Sequence, residues 1–276
     1  MDKPNKSNSR PSVMLFISAL KTGGAERVAC NLANNWLRHG HEVALITIAP
    51  PSSDDYELHN NVKRESLNLL VESGGIIVAL INNIKRVFIL RHKIRQHRPD
   101  VLLAFMTSSN ILAIIAALGT PTRVIVSERI NPAYGDSAGY WLHLRRYLYR
   151  FSYHVVVLAE DSRRWIIKHT KSRRVSVIPN MLIWPLPEHK GALLPPQTSD
   201  HEKILLAAGR LAPQKNYPLL IRSFNRVAKD FNDWQLYIAG AGDPTDLMRL
   251  CEQLGIPHRV HSVSYTHLTL PTIYSV

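Results

Sequence analysis

The chain has 276 residues, 45% of them hydrophobic, and a formal charge of +13 from 34 Lys and Arg against 21 Asp and Glu. That is enough apolar material for a substantial core and enough length for two domains. Several classes are excluded. No apolar run is long enough to cross a bilayer, and the polar N-terminus MDKPNKSNSRPS has no signal-peptide core behind it. Cys30 and Cys251 fit neither a disulfide framework nor metal-ligand spacing with the scattered histidines. A reduced cytosolic setting is therefore expected, with no metal site.

In chain order, residues 1–11 are expected to be disordered. Apolar runs then predict strands at 13–18, 43–48, 101–105, 122–127 and 153–158. Helical spacing fits between them at 24–38, 76–97, 109–118, 139–150 and 160–169. Strands that are apolar throughout suit a parallel sheet covered on both faces, and their alternation with helices suits an open, doubly wound α/β unit over 12–180. Ligands in such sheets sit beyond the carboxyl ends of the strands. That places Gly23 and Gly24, Thr107 to Asn110, and Ser127 to Arg129 around one crevice. Residues 181–201 are rich in proline and poorly periodic, and read as an interdomain linker. The rhythm restarts over 202–261, with strands at 203–208 and 234–239, helices at 217–229 and 245–254, and a third strand starting at Arg259-Val260-His261.

The strongest local signal is KILLAAGRLAPQK, residues 203–215. A strand ends at Gly209, and the following loop carries Arg210 and Lys215 before a helix start at Asn216-Tyr217-Pro218. Asn216 is a candidate cap and Pro218 suits a first turn. A glycine, two cations and a helix N-terminus form a natural anion receiver; the alternative is a surface loop with two solvated cations. Neither Gly23-Gly24 nor Gly240-Ala241-Gly242 completes G-x-G-x-x-G, which disfavours a nicotinamide enzyme.

Charge is also uneven. Between Ser73 and Pro99 no acidic residue occurs, yet Lys85, Arg86, Arg91, Lys93, Arg95 and Arg98 do, interleaved with apolar residues at helical spacing. Such a helix suits an anionic membrane surface; the alternative is a crossover helix packed on its sheet. No aromatic ladder accompanies the cations, so nucleic acid is not assigned as a partner.

GGAERV, SER-INP at 127–132, IPN at 178–180, GRLAPQKNYPLLI and IAGAGD together resemble a bacterial family 4 retaining glycosyltransferase. The likeness runs in order over roughly residues 12–261. Within that group it is nearest to enzymes that extend lipid-linked oligosaccharides or exopolysaccharides. It implies the GT-B fold, in which two Rossmann-like domains face each other across a cleft, here with the second incomplete. It further implies a UDP-sugar donor with no cofactor, and transfer of a hexose or N-acetylhexosamine to a polyprenyl-diphosphate-linked or polysaccharide acceptor. The location implied is cytoplasmic, on the inner face of the cell membrane.

By the same resemblance Gly209, Arg210, Lys215 and Asn216 hold the donor diphosphate, with Gly240 and Gly242 as candidate pocket glycines and Gly23 and Gly24 opposite. Arg210 and Lys215 are the leading catalytic candidates. Glu128 is a candidate for orienting substrate hydroxyls, its alternative being a structural pair with Arg129 or Arg123. Lys85, Arg86, Arg91 and Lys93 are candidates for the acceptor diphosphate and the membrane. Relatives have a histidine where this chain has Arg129. They also have a later glutamate pair, whereas no acidic residue follows Glu252 here. Residues 262–276 resemble translated adapter sequence and are set aside, which predicts weak or no activity and an exposed edge strand. Two other readings stay open: a non-catalytic nucleotide- or membrane-binding remnant, and a basic nucleic-acid-binding protein.

Overall fold

The computed structural model describes residues 10–69, 75–133, 139–181 and 202–263. It divides into two compact units, Met1–Leu182 and Ile183–Val276. The first unit contains β1 (Val13–Ile17), α1 (Gly24–Arg38), β2 (Val43–Thr47), β3 (Lys63–Ser66), α2 (Ile76–His97), β4 (Val101–Phe105) and α3 (Thr107–Ala117). It continues with β5 (Arg123–Ser127), α4 (Gly139–Leu148), β6 (His154–Val157), α5 (Glu160–His169) and β7 (Val175–Val177). Its strands form one seven-stranded sheet in the order β3-β2-β1-β4-β5-β6-β7. Every pairing is parallel, with Val13 opposite Val43 on one side and Val101 on the other. The order reverses at β1 and β4, the switch point of a doubly wound sheet.

Strand alternation splits the core into two layers. Met14, Phe16, Leu102, Ala104, Val124 and Val126 pack with α2, α3 and α5 residues such as Leu90, Ile114 and Ile166. Leu15, Ile17, Leu45, Leu103 and Phe105 face the other way, onto Val28, Ala29, Cys30 and Ala33 of α1. Burial pushes the Cys30 thiol up to about 12, so it behaves as a small core residue.

Two short strands were not expected from the sequence. β3 reads Lys-Arg-Glu-Ser and lies on the sheet edge, where polar side chains reach water. β7 has only three residues, Val-Ser-Val, and borrows its register from β6.

The second unit contains β8 (Lys203–Ala208), α6 (Tyr217–Val227), β9 (Trp234–Ala239), α7 (Thr245–Gln253) and β10 (Val260–Val263). Its parallel sheet runs β10-β9-β8. Tyr217, Ile221 and Phe224 of α6 and Leu250 and Cys251 of α7 pack with Leu236, Ile238 and Val260. Ser262 and Val263, set aside on sequence, belong to β10; residues 264–276 lie outside the described residues. Ser262 and Val263 pair with Ile238 and Ala239, and the Val263 carbonyl accepts the Gly240 amide.

Among the described residues β8 is an edge strand, and its Leu206 is 61% exposed. An open edge with exposed leucines favours intermolecular pairing. Leu206→Lys is expected to lower concentration-dependent light scattering without shifting the thermal midpoint; unchanged scattering would locate self-association elsewhere.

Candidate glycosyltransferase site

In the second unit, two loops meet at the carboxyl ends of β8 and β9. The Gly209 amide donates to the Ala239 carbonyl (2.9 Å) and the Leu211 amide to that of Ala241 (2.8 Å). A Cβ on Gly240 would lie 2.0 Å from the Gly209 carbonyl oxygen, and one on Gly242 would lie 2.7 Å from Leu211 Cβ. Glycine is therefore required at both positions so that the loops can touch. Gly209, at φ +157, is crossed by the Lys215 stem, while its carbonyl accepts the Tyr217 hydroxyl at 2.9 Å. Arg210 and Lys215 are exposed, and neither side chain has an ion-pair or hydrogen-bond partner among the described residues.

Asn216 needs a correction. It occupies the cap position of α6 but makes no side-chain capping bond; its φ of 49° and ψ of 43° are left-handed. Asparagine tolerates that conformation better than most residues, which accounts for it here. Pro218 lacks an N–H, and the Leu219 and Leu220 amides donate to the Asn216 carbonyl. The helix start thus offers an anion few free amides.

At the carboxyl end of β1, the Thr22 amide and hydroxyl donate to Asp55 at 2.6 and 2.8 Å. The Tyr56 hydroxyl bridges the Gly23 amide and carbonyl. Only Gly24 has open space where a side chain would be. Asp55 and Tyr56, which fix this loop, lie 33 residues away in sequence and gave no local signal.

At the carboxyl ends of β4 and β5 lies a buried polar cluster. Glu128, 3% exposed, accepts from the Thr107 hydroxyl at 3.0 Å and from the Tyr149 hydroxyl, with Arg145 at 3.5 Å. Asn110 donates to the Tyr149 oxygen (3.0 Å) and to the Ser127 carbonyl (3.2 Å). Burial, reinforced by the Glu128 charge, pushes the Tyr149 hydroxyl well above its ordinary range, keeping it protonated as a donor. Arg145, 2% exposed, also donates to the Pro132 carbonyl and covers the Trp165 ring.

Glu128 is thus enclosed, with both oxygens engaged, and is not presented to substrate hydroxyls. Its charged partner is Arg145, neither Arg129 nor Arg123; the latter lies over Tyr153. Arg129 turns the other way, over Phe105, with Nη1 donating to Asn180 Oδ1 at 2.8 Å. Its Nε is buried without an acceptor among the described residues, an omission that typically costs about 1–3 kcal/mol.

This frame of two Rossmann-like sheets, each with its polar groups at the carboxyl ends, can be set beside known proteins. Residues 23–181 match the glycosyl transferase 4-like domain and residues 195–275 match glycosyl transferases group 1. The chain belongs to the glycosyltransferase 4-like family. A Campylobacter jejuni relative, GalNAc-alpha-(1->4)-GalNAc-alpha-(1->3)-diNAcBac-PP-undecaprenol alpha-1,4-N-acetyl-D-galactosaminyltransferase, is 29% identical over 232 residues. The match covers 83% of this chain and 61% of that protein. An uncharacterized glycosyltransferase of Methanocaldococcus jannaschii is 25% identical over 196 residues, 64% of this chain and 48% of that protein. The chain therefore spans less than two thirds of either relative.

Solved structures bear on the fold. The lipopolysaccharide outer core galactosyltransferase WaaB (apo form) aligns with a TM-score of 0.62 at 17% identity, over 92% of this chain and 68% of that one. Anabaena HepE in complex with UDP-glucose aligns at 0.63 and 17%, over 91% and 68%. The fold is GT-B.

The basic helix α2 departs from expectation. Arg86 donates to the Leu69 carbonyl and Asn83, and Arg91 to the Ala116 and Leu118 carbonyls. Lys93 Nζ lies 2.5 Å from Glu65, which also meets His97 at 2.7 Å. Burial opposes ionisation of Glu65, but the Lys93 and His97 hydrogen bonds outweigh it and hold its carboxyl below the usual range. Three of the four cations assigned to acceptor and membrane thus secure the fold, because their long stems reach carbonyls and carboxylates on neighbouring elements. Lys85 alone of the four is exposed and without a partner among the described residues. The apolar face is not wholly packed on the sheet either: Ile77 and Phe88 are 75% and 68% exposed. A hollow of about 880 Å³, whose lining includes Arg95, Arg98, Asp100 and Arg123 but none of the nominated site residues, lies at the amino ends of β4 and β5.

Removing one partner of a buried ion pair strands the other charge. Glu128→Ala is expected to lower unfolding stability by ~3–5 kcal/mol in urea titrations, and Lys85→Ala by less than ~0.5 kcal/mol. Equal effects would contradict the cluster's structural role.

Proposed function

We propose that this protein transfers a hexose or N-acetylhexosamine, with retention, from a UDP-sugar to a lipid-linked or growing surface glycan. The observation that carries the donor half is the glycine-bounded loop after β8, which presents Arg210 and Lys215 with no counter-ion among the described residues. The Campylobacter relative's name describes an undecaprenol diphosphate-linked glycan acceptor, and HepE is in complex with UDP-glucose; both support the reading.

In the proposed reaction the acceptor hydroxyl oxygen bonds to the anomeric carbon as the bond from that carbon to the donor phosphate oxygen breaks. The acceptor proton passes to the departing phosphate, and UDP is released. Charge builds on the diphosphate, so fixed cations beside it lower the barrier. Arg210 and Lys215 fill that role, and Gly209 lets the Lys215 stem lie against the backbone. Glu128 contributes at one remove, by fixing the β5 end through Thr107, Tyr149 and Arg145.

The outward ridge of α2, Ile77, Leu80, Ile81, Ile84 and Phe88, is exposed with Lys85 beside it. We assign it to an anionic membrane surface, where apolar side chains enter the interface and cations meet head groups. Among the described residues no helix is long and apolar enough to cross a membrane.

Two measurements test these assignments. In calorimetric titrations, Arg210→Gln with Lys215→Gln is expected to weaken UDP binding at least tenfold. Where turnover is measurable, losing either cation should slow it about a hundredfold, the scale of one well-aimed electrostatic donor. Unaltered UDP affinity would remove the basis for the donor site. In co-sedimentation with phosphatidylglycerol vesicles, Ile84→Glu with Phe88→Glu should abolish binding; retained binding would show that α2 is not the membrane contact.

A further inference from the structure

Among the described residues five buried side-chain atoms have no hydrogen-bond partner. Four of them, Ser109 Oγ, Ser127 Oγ, Arg129 Nε and Arg145 Nε, belong to residues in or after the elements at the carboxyl ends of β4 and β5, while the fifth, Glu65 Oε2, lies against Lys93 Nζ. Native proteins leave few such atoms, and clusters of them call for a specific explanation. Arg129 is the most telling. Its ring-facing side rests 5.2 Å from the Phe105 centroid, and its Nη1 is held by Asn180 Oδ1. Nε and Nη2, which together form the fork that grips oxyanions bidentately, have no acceptor among the described residues. Glu128, the adjacent carboxylate, faces inward to Thr107, Tyr149 and Arg145. Burial depresses the Arg129 guanidinium from its ordinary range, as expected for a cation without a counter-ion. The first turn of α3 begins two residues after Phe105 and adds the positive end of a helix dipole.

We propose that the first unit has its own oxyanion-binding position, in which the Nε–Nη2 edge of Arg129 takes a substrate phosphate. The choice of phosphate rests on the sugar-transfer reading, in which donor and lipid-linked acceptor both carry a diphosphate. The Arg210–Lys215 loop belongs to the other unit. The Arg129 position also replaces the expected row on α2, where Arg86, Arg91 and Lys93 are already bonded within the fold. An arginine is well suited to this place: its Nη1 edge is anchored by Asn180 while the Nε–Nη2 edge has no acceptor among the described residues. A lysine would keep the charge and lose the fork.

The test follows the arginine Nε–H resonances of the full chain by nuclear magnetic resonance. The Arg129 signal is identified by its loss in Arg129→Lys and in Arg129→Gln, with thermal melts confirming that at least one variant folds. Inorganic diphosphate, UDP and farnesyl diphosphate are titrated separately into wild type and into Arg210→Gln/Lys215→Gln. The Arg129 signal is expected to shift saturably with inorganic diphosphate in both proteins, and Arg129→Lys to weaken that binding at least tenfold. A response to farnesyl diphosphate and not UDP identifies the acceptor phosphate; the reverse identifies the donor phosphate. If no probe moves the signal at millimolar concentration, or if the shift vanishes with Arg210 and Lys215 replaced, the proposal is overturned. Loss of UDP binding to the donor loop is a separate result, so failure of one site is not mistaken for failure of the other.

Discussion

Burial of parallel strands on both faces is the constraint on which this molecule depends. In β1, Met14 and Phe16 enter one core layer and Leu15 and Ile17 the other, all fully buried. A strand in that position has no face left for polar chemistry, since an unpaired polar group there would forfeit its hydration. Functional side chains are forced to the strand ends. The carboxyl ends are favoured because the helices start there, with their positive poles and unbonded amides. The glycine turn after β1, Thr107 after β4, Glu128 and Arg129 after β5, and Gly209 to Lys215 after β8 all follow from this one restriction.

Adjacent residues at such an end can have opposite fates. Glu128 goes inward, where a buried carboxylate requires donors, and receives them from Thr107, Tyr149 and Arg145. Arg129, one residue later, points to the other side, over Phe105. The inward cluster binds α3, α4 and the chain after it to the sheet, and so holds the outward arginine in place. The second unit relies on backbone contact instead. Gly240 and Gly242 let its two loops interlock, leaving the cations of the first loop facing water.

The α2 helix shows how far an apolar pattern can be trusted. Leu90 and Ile94 are buried, whereas Ile77, Leu80, Ile84 and Phe88, on the opposite side, are exposed. Helical spacing gave the length of α2 correctly, since the cause is local. It could not say which apolar stripe meets the sheet, because that depends on where α3 lies. Its arginines were equally undetermined: Arg86 and Arg91 reach carbonyls far along the chain that no local pattern reveals.

The sequence by itself determined the alternation of strands and helices, the doubly wound class, the glycine-and-cation loop after β8 and the break into two units. Each of these is written in the period or spacing of neighbouring residues. The tertiary structure alone decided that Lys-Arg-Glu-Ser is an edge strand and that Asn216 is left-handed without capping. It also decided that Glu128 is enclosed while Arg129 Nε is left without an acceptor among the described residues. Those outcomes turn on which distant groups arrive within hydrogen-bonding reach, and contact between residues remote in the chain leaves no periodic trace in it.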